Sequence, residues 1–150
     1  DMITVWVAIT DATQDNGCLK VIPGKHKKML PHCPKTQTAI ADGWINEADA
    51  KALPVKAGSL VILHPLIPHA SLPNHTNGFR WSFDLRYNVT GQPTGRSHFP
   101  DFIAYSQSQP ERVLQDWKEW RGLWETARRK LSNGEHIPIH RWQSDAPFCA

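Results

Sequence analysis

Long apolar runs, a strong charge of one sign and cysteine motifs are all missing from this sequence of 150 residues. No stretch of about 18 apolar residues occurs, so the sequence predicts no membrane-spanning helix. Lys plus Arg number 17 and Asp plus Glu 14, an excess too small to indicate a nucleic-acid or membrane partner. The three cysteines have no motif spacing and no secretory leader is recognisable, which predicts reduced thiols in a cytoplasmic protein.

Short β-rich segments separated by turn residues fill the first 90 residues. The sequence predicts strands at residues 2–10, 18–22, 59–64 and 81–89, because each segment is rich in apolar or β-branched residues. A short helix is predicted near residues 46–53. Short strands with turns between them predict a β-sandwich or jelly roll.

The remaining residues carry one amphipathic pattern. Ser108 and Glu111 have the spacing of a capping box, and apolar residues then recur at three- and four-residue steps as far as Leu131. This pattern predicts a helix of about six turns that ends near Asn133-Gly134. Its stripe of tryptophans indicates either cover for the outer face of the β-sheet or a protein-interaction surface.

The segment from His64 to Arg80 concentrates three histidines, a serine and an arginine around one turn rich in Pro, Asn and Gly. Along the strand that follows, polar residues at 80, 82, 84 and 86 share one face, and apolar residues at 81, 83, 85 and 87 share the other. The apolar face is expected to be buried. The polar face either lines a cavity or faces water.

A histidine before this turn and an arginine after it can meet across an antiparallel pair. Neutral imidazole is a common ligand of iron and zinc, and the planar fork of arginine suits a carboxylate. Together they suit a metal site that also binds a keto acid. One histidine does not make such a site, because a non-haem iron centre usually needs two histidines and one carboxylate.

Three blocks of this sequence resemble the phytanoyl-CoA dioxygenase family of Fe(II)- and 2-oxoglutarate-dependent oxygenases. The block from Thr4 to His26 is similar to the family's strand, Asn-Gly turn and Pro-Gly-Ser-His segment. The blocks from Ala57 to His64 and from His69 to Arg80 follow in the family's order, and the last is the most specific.

The resemblance implies a mostly β (α+β) fold, namely a cupin-like double-stranded β-helix or jelly roll with a C-terminal amphipathic helix. It also implies that residues 1–150 form a single domain that is the C-terminal part of a larger oxygenase. Within it, residues 1–90 are expected to form the β core and residues 91–150 a helical extension.

The same resemblance assigns the site residue by residue. His69 matches the distal iron-binding histidine, and Arg80 matches the arginine that pairs with the far carboxylate of 2-oxoglutarate. Ser71 matches a residue that assists this carboxylate, and Trp6 matches a tryptophan of the cosubstrate pocket. His64 competes with His69 for the ligand position, but Arg80 and Ser71 are in register with His69. The implied metal is Fe(II), and the implied partners are 2-oxoglutarate, O2 and a small organic substrate that is hydroxylated.

The family's other two iron ligands form a His-x-Asp motif on the preceding strand, and this chain does not contain it. The chain alone is therefore expected to be inactive. One alternative is a non-catalytic, cupin-like module that binds a small molecule without iron. The other is a protein-interaction scaffold that uses the tryptophan-rich helix.

Overall fold

The computed structural model describes residues 2–33, 39–94, 99–134, 146, 147 and 149. The chain divides into two compact units, residues 1–87 with 140–150 and residues 88–139. The described residues are mostly strands with one α-helix near the C-terminus, which confirms this part of the predicted fold. The strands are β1 (Met2–Ala8), β2 (Leu19–Val21), β3 (His32–Cys33), β4 (Ala39–Ile40), β5 (Lys51–Leu53), β6 (Leu60–Leu63), β7 (His69–Ser71) and β8 (Ser82–Asn88), and the helix is α1 (Trp117–Asn133).

Two three-stranded sheets enclose the core of the first unit. Their strand orders are β6-β1-β8 and β5-β2-β7, and β3 pairs with β4 in a separate hairpin. Strand β1 is antiparallel to β6, and β2 is antiparallel to both β5 and β7. Buried Trp6 and Ala8 of β1 and Leu63 of β6 form one cluster with Cys18 and with Leu19 of β2, so the core lies between the two sheets.

The loop before β2 holds the turn that separates β7 from β8. The backbone N–H of His75 donates to the carbonyl of Asp15 at 2.8 Å, and Asn16 and Asn74 form an isolated β-bridge. Gly17 has a φ of 88°, and a Cβ at this position would lie 2.7 Å from the carbonyl oxygen of Leu72. Only glycine therefore lets the two segments approach this closely.

The outer face of the β6-β1-β8 sheet is apolar and exposed. On this face the register pairs Val5 with Ile62, and Ile62 is 66% exposed. The prediction that the apolar side of strand 81–89 is buried is not confirmed within the first unit, because the second sheet packs against the inner face only. The exposed residues of this side are Trp81, Phe83, Leu85 and Tyr87.

The predicted short helix is only partly present. Glu47–Asp49 forms one turn of 3-10 helix, which Asn46 caps by accepting a hydrogen bond from the Ala48 N–H at 3.2 Å. The following residues, Lys51–Leu53, form β5 and pair with β2. The helix prediction is therefore wrong for these three residues, because pairing with β2 outweighs their local preference.

Asp11 connects the end of β1 to the turn that precedes β6. Its carboxylate accepts hydrogen bonds from the Lys56 ammonium and from the Ala57 N–H, both at 2.9 Å. Both hydrogen bonds lower the pKa of Asp11, and the bond from Lys56 has the larger effect. The same contact with Asp11 raises the pKa of Lys56.

The lowered pKa of Asp11 predicts a pH-dependent contribution to stability. A carboxyl whose pKa is lower in the folded state stabilises the fold above its unfolded pKa, and this contribution disappears as the pH falls through the folded pKa. We expect Asp11→Asn to lower the melting temperature slightly at neutral pH, and to cause a smaller deficit at an acidic pH below the usual range of an aspartate pKa. Circular dichroism at both pH values measures this, with exposed Asp42→Asn as the control. An equal deficit at both pH values would contradict the assignment.

In the second unit, α1 begins later than the sequence predicts. Its N-cap is Asp116, whose carboxylate accepts a hydrogen bond from the Lys118 N–H at 2.8 Å. Residues 110–112 form a separate 3-10 turn, and the Leu114 N–H donates to the Ile103 carbonyl, which holds this segment outside the helix. The predicted start at Ser108 is therefore wrong, and the predicted end near Asn133 is confirmed.

The tryptophan stripe of α1 is partly exposed within its unit. Trp117 is 62% exposed, Trp120 46% and Trp124 41%, and the Trp124 ring lies 5.7 Å from the Phe99 ring. Both interpretations of the stripe, as sheet cover or as a scaffold surface, stay predictions. No helix among the described residues is long and apolar enough to cross a membrane.

Two of the three cysteines form a disulfide. Cys33 of β3 is bonded to Cys149, with the Cα atoms 5.3 Å apart, whereas Cys18 is free and buried. The prediction of reduced thiols is wrong for this pair, because the fold joins residues separated by 116 positions and their spacing gives no sign of it. The cytoplasmic location loses this support and stays a prediction.

Candidate carboxylate and metal site

The first part of the site lies on β7. Antiparallel pairing places His69 opposite Val21 and Ser71 opposite Leu19 of β2. Leu19 belongs to the core, so both site residues lie on the inner face of their sheet, about 7 Å apart along the strand. Both side chains are nevertheless exposed, because β7 is an edge strand.

The ring of His69 is held by a backbone carbonyl two residues earlier. Its Nδ1 lies 2.9 Å from the carbonyl oxygen of Ile67, an acceptor that requires the Nδ1 to carry the proton. In the neutral ring the Nε2 lone pair is then free. A backbone carbonyl that fixes the tautomer in this way is the usual support of a metal-binding histidine.

The ring of His64 has the opposite arrangement. Its Nδ1 accepts a hydrogen bond from the Leu66 N–H at 3.1 Å, so in the neutral ring the proton is on Nε2. Neither nitrogen then offers a free lone pair to a metal. The ring also lies against that of His26, with the centroids 5.1 Å apart. These contacts favour His69 over His64 as the ligand.

Arg80 lies between the edge strands of the two sheets. Its Nη2 donates to Ser71 Oγ of β7, and its Nη1 donates to Ser82 Oγ of β8, each at 2.9 Å. The guanidinium carbon lies 5.3 Å from the centroid of the Trp6 ring, a cation–π distance. Trp6 is only 4% exposed, so its ring forms a fixed wall beside the guanidinium.

The charge of Arg80 is unbalanced in the part of the chain that the structure describes. The guanidinium is half-buried, and its partners there are two neutral hydroxyls and an indole ring, whereas the ion pairs of the described residues involve other side chains. Two of its five N–H groups are used, which leaves enough for a bidentate carboxylate. A partly buried cation without an anion is the feature expected of an anion-binding site.

A shallow, open cleft lies nearby, mainly on the other side of β7. Its lining includes Lys20 of β2 and Ala70 of β7, which face each other in the register. Both residues point to the outer face of their sheet, because side chains alternate along a strand and their neighbours face the core. Lys20 also forms an ion pair with Glu47 at this cleft. Trp6, Ser71 and Arg80 do not line this cleft, although His69 borders it.

A complete metal centre is not present among residues 2–33, 39–94, 99–134, 146, 147 and 149, which contain no group of three or more His, Cys, Asp or Glu placed to hold an ion. His69 is thus a single candidate ligand.

Contacts in the structure join three of the four residues named from the sequence, because Arg80 contacts both Ser71 and Trp6. The fourth residue, His69, shares a face of β7 with Ser71. The sequence analysis placed Ser82 on the same polar face as Arg80 but assigned it no role in the site. That shared face was the available signal.

Comparisons with known proteins identify the family of this chain. A sequence profile of the phytanoyl-CoA dioxygenase family matches residues 1–82. The peroxisomal phytanoyl-CoA dioxygenase of Mus musculus is 36% identical over 92% of the chain, and the match covers 44% of that enzyme. A probable phytanoyl-CoA dioxygenase of Caenorhabditis elegans is 34% identical over 55% of the chain and 29% of its own length. The chain thus spans less than half the length of these relatives.

Solved structures, among them a non-heme monooxygenase, also resemble the chain. The non-heme monooxygenase ThoJ has a TM-score of 0.61 at 24% identity, over 87% of this chain and 53% of its own, and a nickel complex of it is also known. EvdO2 of Micromonospora carbonacea var. aurantiaca has a TM-score of 0.52 at 25% identity, over 62% and 42%, and has a 2-oxoglutarate complex. The chain therefore belongs to the phytanoyl-CoA dioxygenase family, with Fe(II) and 2-oxoglutarate as the metal and cosubstrate that this membership implies.

Proposed function

We propose that this chain is the C-terminal part of a larger jelly-roll oxygenase that uses Fe(II) and 2-oxoglutarate to hydroxylate a small organic substrate. The observation that carries the proposal is the half-buried Arg80 guanidinium, which has only neutral partners among the described residues and lies beside the strand of His69. The two facing sheets and the likeness to non-haem oxygenases support the jelly roll.

Each site residue has a role that its contacts support. Arg80 holds the far carboxylate of 2-oxoglutarate through its remaining N–H groups. Ser71 accepts a hydrogen bond from Arg80 and keeps its own O–H to donate to the same carboxylate. Trp6 covers one side of the guanidinium and keeps water from it. His69 offers Nε2 to the metal.

The metal and cosubstrate, when bound, supply the oxidation that places oxygen on a C–H bond of the substrate. Iron needs two further protein ligands, and we expect them from a His-x-Asp motif outside this sequence. A module that binds a 2-oxo acid without iron is the second candidate, because the contacts of Arg80 do not depend on a metal.

One experiment separates the two candidates. The complete gene product is incubated with Fe(II), O2 and 2-oxoglutarate, and succinate is measured. We expect succinate only when iron and 2-oxoglutarate are both present, and none from residues 1–150 alone. Binding of 2-oxoglutarate by the complete protein without any succinate would favour the iron-free module. A complete gene without an upstream His-x-Asp motif would exclude the oxygenase.

A further inference from the structure

The Arg80 guanidinium is held at both terminal nitrogens by serines from different sheets. Ser71 lies on β7, the edge of one sheet, and Ser82 lies on β8, the edge of the other. Each hydroxyl accepts from a different nitrogen at 2.9 Å. The two bonds together fix the direction of the guanidinium plane, since one bond alone would still allow it to turn.

We infer that Ser82 is a positioning residue for Arg80 and thereby sets the preference of the site for a 2-oxo acid with a second carboxylate. This inference rests on the proposed function. Ser82 is half-buried, and its bond to Nη1 complements the bond of Ser71 to Nη2, so both terminal nitrogens of Arg80 are held. A carboxylate can be bound by two parallel N–H groups only if the guanidinium plane is held in one orientation.

Besides the two serines, the Trp6 ring restricts how a ligand can approach Arg80. The Trp6 ring lies 5.3 Å from the guanidinium carbon, so a ligand reaches Arg80 from a side that Trp6 and the two serines leave open. The remaining guanidinium N–H groups are donors, and each serine hydroxyl accepts from Arg80 and can donate its own O–H. These donors favour a carboxylate over an amine at the far end of the ligand.

Calorimetric titration of the complete protein with two ligands tests this role. The first ligand is 2-oxoglutarate, and the second is 2-oxovalerate, which has the same chain length and 2-oxo acid group but lacks the far carboxylate. Loss of one supporting hydrogen bond is expected to weaken 2-oxoglutarate binding in Ser82→Ala about threefold to tenfold. Binding of 2-oxovalerate should be unchanged in this variant.

Two control variants accompany this change. Ser82→Thr keeps a hydroxyl and should bind 2-oxoglutarate like the wild type. Ser59→Ala removes a hydroxyl that has no hydrogen bond within the described part of the chain, so neither affinity should change. If Ser82→Ala weakens both ligands equally, Ser82 has a general structural role and the inference is overturned.

A double-mutant cycle separates this inference from the proposed function. Arg80→Gln should strongly weaken 2-oxoglutarate binding, and adding Ser82→Ala to it should cause no further loss, because Ser82 acts through Arg80. If Arg80→Gln leaves the affinity unchanged, the proposed function itself fails. If Arg80→Gln weakens binding but Ser82→Ala does not, only the positioning role of Ser82 is overturned.

Discussion

His69→Ala in the complete protein is expected to abolish succinate formation, whereas His64→Ala should retain it. The difference follows from the hydrogen bonds of the two rings. His69 donates from Nδ1 to the Ile67 carbonyl and keeps the Nε2 lone pair for the metal. His64 accepts at Nδ1 from the Leu66 N–H, so its proton lies on Nε2.

The expected loss in His69→Ala is large because a direct ligand is removed. Changing residues that only support a ligand typically costs about 10- to 100-fold in metal affinity or activity, and loss of the ligand itself should exceed this. Succinate formation and the iron content of the purified protein should therefore both fall. Binding of 2-oxovalerate, which lacks the carboxylate that Arg80 would hold, should fall with them because it depends on the metal.

His64→Ala serves as the matched control, since it removes an imidazole five positions away on the same connection. Its effect should be limited to the local turn, where the Leu66 N–H loses an acceptor. If His64→Ala removes iron and His69→Ala does not, the ligand assignment is reversed. The assignment of Arg80 and Ser71 to the carboxylate of 2-oxoglutarate would be unaffected by that result, because the contacts of Arg80 involve neither histidine.

The sequence predicts that Ser71 and Arg80 lie together because both fall within the 12 consecutive residues from His69 to Arg80, around one turn. Strand alternation then places His69 and Ser71 on one side. The expected antiparallel pair across this turn is wrong for the described residues, because β7 and β8 belong to different sheets. The strand segments were also predictable, since the pattern of apolar and β-branched residues is local. The same argument would have identified Ser82, two residues beyond Arg80.

Other features depend on contacts between distant parts of the chain. The Trp6 ring reaches Arg80 only because β1 and β8 are neighbours in one sheet, which no local pattern reveals. The start of α1 was predicted wrongly because a bond between Leu114 and Ile103 competes with helix formation. Strand β5 was missed because its pairing with β2 is also non-local.

The second large effect is expected in Cys33→Ser, which breaks the disulfide to Cys149. The bond closes a loop between residues 116 positions apart. In the chain-entropy model, a loop of about 100 residues restricts the unfolded chain by about 4.7 kcal/mol, and measured losses of native disulfides are typically about 2–5 kcal/mol. We expect the free energy of unfolding to fall by about 2–5 kcal/mol. Urea denaturation followed by tryptophan fluorescence measures this change.

Reduction of the wild type provides the matched comparison for Cys33→Ser. A dithiol reductant should lower wild-type stability to the level of the variant and should not affect the variant, because Cys18 is buried and unbonded. Cys33→Ser and Cys149→Ser should be equally unstable, and the double variant no worse, since one bond is lost in each case. A wild type that is insensitive to the reductant would contradict the pairing.

The position of the disulfide predicts which part of the fold opens first when the bond is lost. Cys33 belongs to β3, which pairs with β4, and the Ala41 N–H donates to the Pro31 carbonyl at the base of the same hairpin. Ile40 of β4 lines the cleft that His69 borders. Hydrogen exchange should therefore accelerate in the described residues of this hairpin before it does in β1, because β1 is held by the core and by both of its neighbouring strands.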